Sequence, residues 1–342
     1  MTRHVNIPIF IPHLGCPNQC VFCNQRTISG VMEFDIESVR QTIEDTLSTT
    51  GAADEVEIAF FGGSFTGIDR SLMRELLEIA YAYVKDGRVA GIRCSTRPDY
   101  ISEEILTELK RYEVRVIELG LQSADDRVLL ATKRGHGFFA EEKACRMITE
   151  SGFTLIGQMM IGLPHSTEES ELETAKFIIS QGAKGVRIYP TVVFRDTELC
   201  NMAKRGEYTP LTDAEAVRRT ALVMKEFINS GVDVIRVGLC ASENLTGDET
   251  YYAGPNHPAI GELVENELYY SIIYDALKKV SLDGNSYVTV FVPKGALSKA
   301  IGQKKINKIR IQNDFSHIKV RFSEKEELAE YCVSIERRKE CT

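Results

Sequence analysis

Seven short apolar runs, each followed by a polar or amphipathic stretch, constrain this chain more than any other feature. The runs are VNIPIFI (5–11), EVEIAFF (55–61), GIRCS (91–95), RVIELGL (115–121), LIGQMMI (155–161), GVRIYPTV (185–192) and VDVIRVGL (232–239). Several are apolar almost throughout, as expected of parallel strands covered on both faces. Amphipathic stretches near 36–48, 69–85, 102–110, 138–150 and 168–180 lie between them. Ser166 with Glu169 and Thr212 with Glu215 have capping-box spacing and mark helix starts. Strand–helix alternation at this rhythm predicts βαβ units in an α/β fold, a partial or full TIM-like (β/α) barrel whose chemistry sits at the C-terminal ends of its strands.

The rhythm changes near residue 240, which divides the chain into a core barrel (1–240) and a C-terminal extension (241–342). The extension reads as a loop, a long helix over about 259–279, then a small α+β module. That module is expected to hold a strand YVTVFVP (287–293), a short helix, strands INKIRIQ and HIKVRF, and a terminal helix opened by Ser323 with Glu326.

The chain carries a net charge of −8, so RNA binding requires a local basic patch. Neither a membrane-length apolar run nor a secretory leader is evident, and the expected location is cytoplasmic. Nine cysteines in such a chain argue against a disulfide framework. Six of them (Cys94, Cys145, Cys200, Cys240, Cys332 and Cys341) are scattered singly and read as ordinary thiols. Cys240 follows an apolar run and could reach a pocket.

The other three form GCPNQCVFC (15–23), directly after the first expected strand. Cys16, Cys20 and Cys23 have C-x3-C-x2-C spacing, and thiolates select iron–sulfur clusters or zinc. Three thiolates hold three irons of a [4Fe-4S] cubane and leave the fourth open. The alternative is a closed Cys3His zinc site completed by His13. After the second strand comes FFGGSFTG (60–67), where Gly62, Gly63 and Ser64 offer backbone N–H groups to a carboxylate or amine, or simply make a tight turn.

CPNQCVFC followed by GGSFTG resembles the radical S-adenosylmethionine (SAM) superfamily. STRPDYI (95–101), IELGLQS (117–123), KRGHG (133–137), QMMIGLP (158–164), RIYPTVVFRDTEL (187–199) and RGEYTPL (205–211) follow in order. This series resembles the catalytic subunit of Elongator, which modifies the wobble uridine of tRNA, over residues 5–212. The resemblance implies a radical SAM barrel and a [4Fe-4S] cluster on Cys16, Cys20 and Cys23. SAM would bind the open iron and be reductively cleaved to a 5′-deoxyadenosyl radical. It further implies an electron donor such as ferredoxin or flavodoxin, and tRNA as substrate. Gly62 and Gly63 match the methionine-binding turn; Gln122 and Arg134 match polar groups near the ribose and carboxylate of SAM. Gln158 stands where haem-handling relatives carry an acidic residue, and Ser95 where relatives usually have Glu. Elongator's acetyltransferase domain finds no counterpart in the sequence, so the likeness is to stand-alone bacterial members.

The segment PKGALSKAIGQKKINKIRI (293–311) carries Lys294, Lys299, Lys304, Lys305, Lys308 and Arg310. It reads as helix, GQKK turn and strand, and the turn resembles the G-x-x-G loop of KH modules with Lys305 in place of the second glycine. A solvated charged face is the plain alternative. Two further readings of the whole chain stand beside the RNA-modifying enzyme. One is a haem-pathway protein, either coproporphyrinogen oxidase-like or a haem carrier. The other is a zinc-stabilised RNA-binding protein without catalysis.

Overall fold

A computed structural model describes residues 4–11, 14–16, 20–24, 34–51, 54–239, 249–280 and 286–338. His13 and Cys240 lie outside the described residues. The elements in chain order begin with β1 (His4–Phe10), α1 (Glu37–Ser48), β2 (Glu55–Phe61), α2 (Arg70–Lys85), β3 (Gly91–Thr96), α3 (Glu103–Arg111) and β4 (Val114–Gln122). Next come α4 (Asp126–Ala131), α5 (Phe138–Glu150), β5 (Thr154–Ile161), α6 (Glu168–Ser180), β6 (Gly185–Pro190), β7 (Val193–Phe194), α7 (Glu198–Lys204), α8 (Asp213–Asn229) and β8 (Asp233–Val237). The remainder are β9 (Tyr251–Ala253), α9 (Ile260–Lys278), β10 (Ser286–Pro293), α10 (Leu297–Ile301), α11 (Ile306–Asp314), β11 (Ile318–Lys325) and β12 (Ser334–Arg338).

All seven expected barrel strands form. They pair in parallel in the order β1-β2-β3-β4-β5-β6-β8, so the barrel is partial, a curled half-barrel. Each strand sends one set of side chains outward to the helices. Ile58 and Phe60 of β2, Ile92 and Cys94 of β3, Ile117, Leu119 and Leu121 of β4, and Met159 and Ile161 of β5 are buried in one continuous core. Gly157 lets α6 approach β5, since a Cβ there would lie 2.8 Å from Ile178. The alternate residues line the concave face and are polar: Glu57, Arg93, Ser95, Glu118, Gln158 and Arg187. This period-two split departs from the near-continuous apolar strands expected, because the concave face carries paired charges hidden among apolar neighbours.

Helix α8 starts where expected, with the Thr212 hydroxyl accepting from Glu215 N at 3.2 Å. Helix α6 does not. Thr167, not Ser166, is its N-cap, paired reciprocally with Ser170, while Ser166 donates to Glu171 Oε1 at 3.0 Å. The long helix is present as α9, and apolar residues lie on more than one of its faces. Ile260, Val264 and Leu268 join the barrel core. Tyr269, Ile273 and Leu277 join a second core with Val288, Val290 and Val292 of β10.

Two expectations for the tail are overturned. INKIRIQ is helix α11 rather than a strand: Asn307 and Ile311, four apart, are its buried positions, and the Asn307 amide donates to Asn266 O of α9 at 2.6 Å. The alternation of Ile309 and Ile311 imitates a strand. Ser323 opens no helix either, because it lies within β11, opposite Phe291 of β10. The chain then turns back as β12, giving a three-stranded sheet β11-β10-β12 with β10 parallel to β11 and antiparallel to β12. Among the described residues no helix is long and apolar enough to cross a membrane.

Candidate active site

The cysteine loop leaves β1 and is held to the barrel at two points. Val21, between the second and third cysteines, is 1% exposed. Its N–H donates to Thr132 O at 3.1 Å, and its carbonyl accepts from Leu199 N at 2.8 Å. Gly15, just before the first cysteine, has φ +75°, and a Cβ there would come within 2.3 Å of Ser64 O. A Cβ on Gly67 would lie 2.5 Å from Gly15 O. The cysteine loop and the FFGGSFTG turn therefore touch backbone to backbone through two glycines. Gly67→Ala is expected to push the loops apart and reduce iron uptake, at an overpacking cost of about 1–3 kcal/mol; iron analysis of reconstituted protein beside a melting curve measures both.

The turn's own groups are largely committed inward. Gly62, at φ +98°, packs against the backbone of Ile11, 3.1 Å from where its Cβ would be. Ser64 is fully buried; its hydroxyl bonds Thr96 Oγ1 at 2.9 Å and accepts from Arg97 N at 3.3 Å. Thr66 bonds the same Thr96 hydroxyl and donates to Tyr100 O at 3.0 Å. These hydroxyls lock the GGSFTG and STRPDY segments together.

That lock aims Arg97 at the cysteines. Asp99 grips its guanidinium through two bonds of 2.9 Å. Arg97 Nη1 lies 3.7 Å from Cys20 Sγ, and Arg134 Nη1 donates to the same sulfur at 3.3 Å. Arg97 also donates to Arg134 O, and Arg134 to Gly120 O. Two buried arginines thus face one buried sulfur and make an electropositive seat around it. Burial pushes the Cys16 thiol up, partly offset by the Ser64 backbone and the charge of Arg97. Cys23 follows within the same turn, its N–H donating to Cys20 O at 3.0 Å.

Gln122 and Arg134 come together over Gly120: a Cβ there would lie 3.1 Å from Gln122 Nε2 and 3.6 Å from Arg134 Nη2. Gln122 ends β4 at φ +72°, beside a register shift between Gly120 and Gln122. Left-handed backbone in a non-glycine residue is costly and clusters at functional sites. Gln122 Oε1 and Arg134 Nε are buried without a hydrogen-bond partner. Gln158 stands opposite Gly120 on β5. Its amide donates to Glu118 Oε2 at 2.9 Å and to Ser95 Oγ at 3.3 Å.

Glu118, fully buried, organises a layer across the concave face. It accepts from Arg187 Nε at 2.7 Å, Arg187 Nη2 at 3.0 Å and Arg93 Nη1 at 3.1 Å. Arg93 also reaches Glu57 through Nε at 2.9 Å. Two carboxylates and two guanidiniums pair in this layer, and Arg236, the register partner of Arg187 on β8, stands beside it.

Behind Arg134, His136 and Glu141 are both buried and lack hydrogen-bond partners, with Nδ1 and Oε1 3.8 Å apart. Burial pushes the His136 imidazole down to about 4 and the Glu141 carboxyl well above its usual range. Burial thus disfavours the charged form of each. A raised carboxyl favours folding most at low pH and loses that contribution as pH rises above the unfolded value near 4.5. Glu141→Gln is expected to be more stable than the parent at pH 8, the gap growing by up to about 1.4 kcal/mol per pH unit above that value. Denaturant melts at pH 5 and 8 test this; an unchanging gap refutes it.

The donor set fits an iron–sulfur cluster. Three thiols stand on one loop, two arginines face one of them, and unpartnered polar atoms of Gln122 and Arg134 lie alongside. The scattered cysteines read as ordinary: Cys94, Cys145 and Cys200 are buried, and burial lifts the Cys94 and Cys145 thiols to about 12. Arg97, Asp99, Glu118, Gly15 and Gly67 escaped the sequence reading. The first two were within reach, because STRPDY already stood out as a motif.

Comparison with known proteins agrees with this geometry. The Radical SAM superfamily matches residues 10–178, and the Radical_SAM C-terminal domain matches 183–270. The tRNA uridine(34) acetyltransferase of Methanocaldococcus infernus is 29% identical over 59% of this chain and 46% of its own length. Human Elongator complex protein 3 is 26% identical over 54% of this chain and 38% of its own. The chain thus spans under half the length of these curated relatives. The solved structure of M. infernus Elp3 with its N-terminus deleted has a TM-score of 0.58 at 20% identity, covering 79% of this chain and 68% of that one. Cysteine loop, half-barrel and two adjoining family regions lead to one assignment: the chain belongs to the radical SAM superfamily, whose enzymes use a [4Fe-4S] cluster and S-adenosylmethionine, and within it is similar to the Elongator catalytic subunits.

Proposed function

We propose that this radical SAM enzyme modifies a nucleoside in RNA, with tRNA as the substrate class. The seat that Arg97 and Arg134 form around Cys20 carries the enzymatic part of this reading. Cys16, Cys20 and Cys23 would hold the cluster. Gly62, Gly63, Ser64, Gln122 and Arg134 would orient SAM beside it. When bound, the cluster would supply the electron for reductive cleavage of SAM, with a ferredoxin or flavodoxin as its source. Asp99 fixes Arg97, and the hydroxyl lock of Ser64, Thr66 and Thr96 fixes the turn, so the site needs little rearrangement to bind. The paired layer around Glu118 closes the floor beneath the substrate, with Gln158 as part of that layer.

The RNA part draws its support from the names of the relatives, tRNA uridine(34) acetyltransferase and Elongator complex protein 3. A soluble enzyme of the cytoplasm fits this reading. Mass spectrometry of tRNA nucleosides from cells with and without the gene tests it. A nucleoside lost on deletion and restored by the parent but not by Cys20→Ala is the expected result. Identical nucleoside profiles would remove tRNA as the substrate.

A further inference from the structure

Neither family region reaches beyond residue 270, yet the chain builds a separate module from β10 onward. Its order β10–α10–α11–β11 places the turn Gly302–Lys305 between two helices. The sequence had placed a strand after that turn. Gly302 has φ +77°, and a Cβ there would lie 3.2 Å from Asn307 N, so only glycine fits. Lys305 has φ +63° and so keeps the left-handed backbone of the glycine it replaces; Lys304 is left-handed too, at φ +51°. A glycine-initiated turn between helices is how KH modules hold a nucleic-acid backbone.

The charges around the turn separate into two groups. Lys294, Lys299 and Arg310 are neutralised by Glu326, Glu265 and Glu267. Lys304, Lys305 and Lys308 are exposed and have no acidic partner among the described residues. In a chain of net charge −8, an unneutralised basic patch stands out. It is also partly apolar. Ile306 and Ile309 are 47% and 52% exposed on the outer face of α11, while Asn307 and Ile311 face inward. Lysines flanking exposed apolar side chains suit a single strand, whose phosphates and unstacked bases need both kinds of contact.

We infer that the turn Gly302–Lys305 and the outer face of α11 bind single-stranded RNA, with Lys304, Lys305 and Lys308 on phosphates and Ile306 and Ile309 under bases. This rests on the RNA reading above and assigns it a surface away from the cysteine loop. The test is fluorescence anisotropy of a labelled single-stranded RNA oligonucleotide against the full chain across a potassium chloride series. With about 0.7 in the log–log salt slope per phosphate, the triple variant K304Q/K305Q/K308Q is expected to lose a slope of about 2, and Lys308→Gln alone about 0.7. I306Q/I309Q should weaken binding severalfold without changing the slope, and Lys294→Gln should bind like the parent. Melting temperatures guard against unfolding, and Lys308→Gln, in regular helix, serves if the turn variants fail to fold. Parent-like binding by Lys308→Gln and the triple variant overturns the inference but leaves the RNA reading standing. A parent chain that binds no RNA, or that binds polyglutamate as tightly with the same salt dependence, also overturns it. The nucleoside profile judges the RNA reading separately.

Discussion

Replacing Cys20 with alanine is expected to lower the iron of anaerobically reconstituted protein from about four atoms per chain to near background and to abolish reductive cleavage of SAM. Cys20 is the buried member of the three loop cysteines, and both guanidiniums of the seat point at its sulfur. Its loss removes a ligand and leaves Arg97 and Arg134 facing a void. Cys94→Ala is the control, since Cys94 lies on the helix-facing side of β3 within the core. It should keep its iron and lose only packing stability. Full iron content in the Cys20 variant, or equal losses in both variants, would contradict the assignment of the loop.

Glu118→Gln should produce the largest loss of stability. The carboxylate sits at 0% exposure and holds Arg93, Arg187 and Gln158 together. A buried ion pair is weak evidence of stabilisation in itself, but removing one partner strands the other charges at a cost of about 3–5 kcal/mol. At roughly 2.1 cal/mol/K per residue over 342 residues, that corresponds to a Tm lower by roughly 4–7 °C. Glu44→Gln breaks the exposed pair with Arg88 and should leave Tm nearly unchanged. Equal shifts for the two variants would mean that the layer around Glu118 is solvated and does not close the barrel floor.

The half-barrel was legible because largely apolar strand runs alternate with amphipathic helices along the chain, and all seven strands appear in one sheet. The cysteine loop was legible because its ligand spacing is local. What stayed hidden was set by tertiary context. Glu57, Arg93, Glu118 and Arg187 look like solvated charges in the sequence; only closure of the sheet puts them side by side. Gly15 and Gly67 are 52 positions apart, and nothing local says their backbones touch. The tail misled because Ile309 and Ile311 alternate as a strand would, while the buried positions of α11 are Asn307 and Ile311. An asparagine satisfied by a carbonyl of another helix leaves no apolar signature to read.

Helix α9 gives its first half to the barrel core and its second half to the tail core. At about 1.5 Å per residue, its 19 residues form a strut roughly 28 Å long. The tail is seated midway along this helix, with Asn307 donating to Asn266 O and Arg310 paired with Glu267, so barrel and tail are joined through one packed helix instead of a tether. A strand gripped on α11 would therefore meet the barrel from one fixed direction, set by where the tail sits on α9.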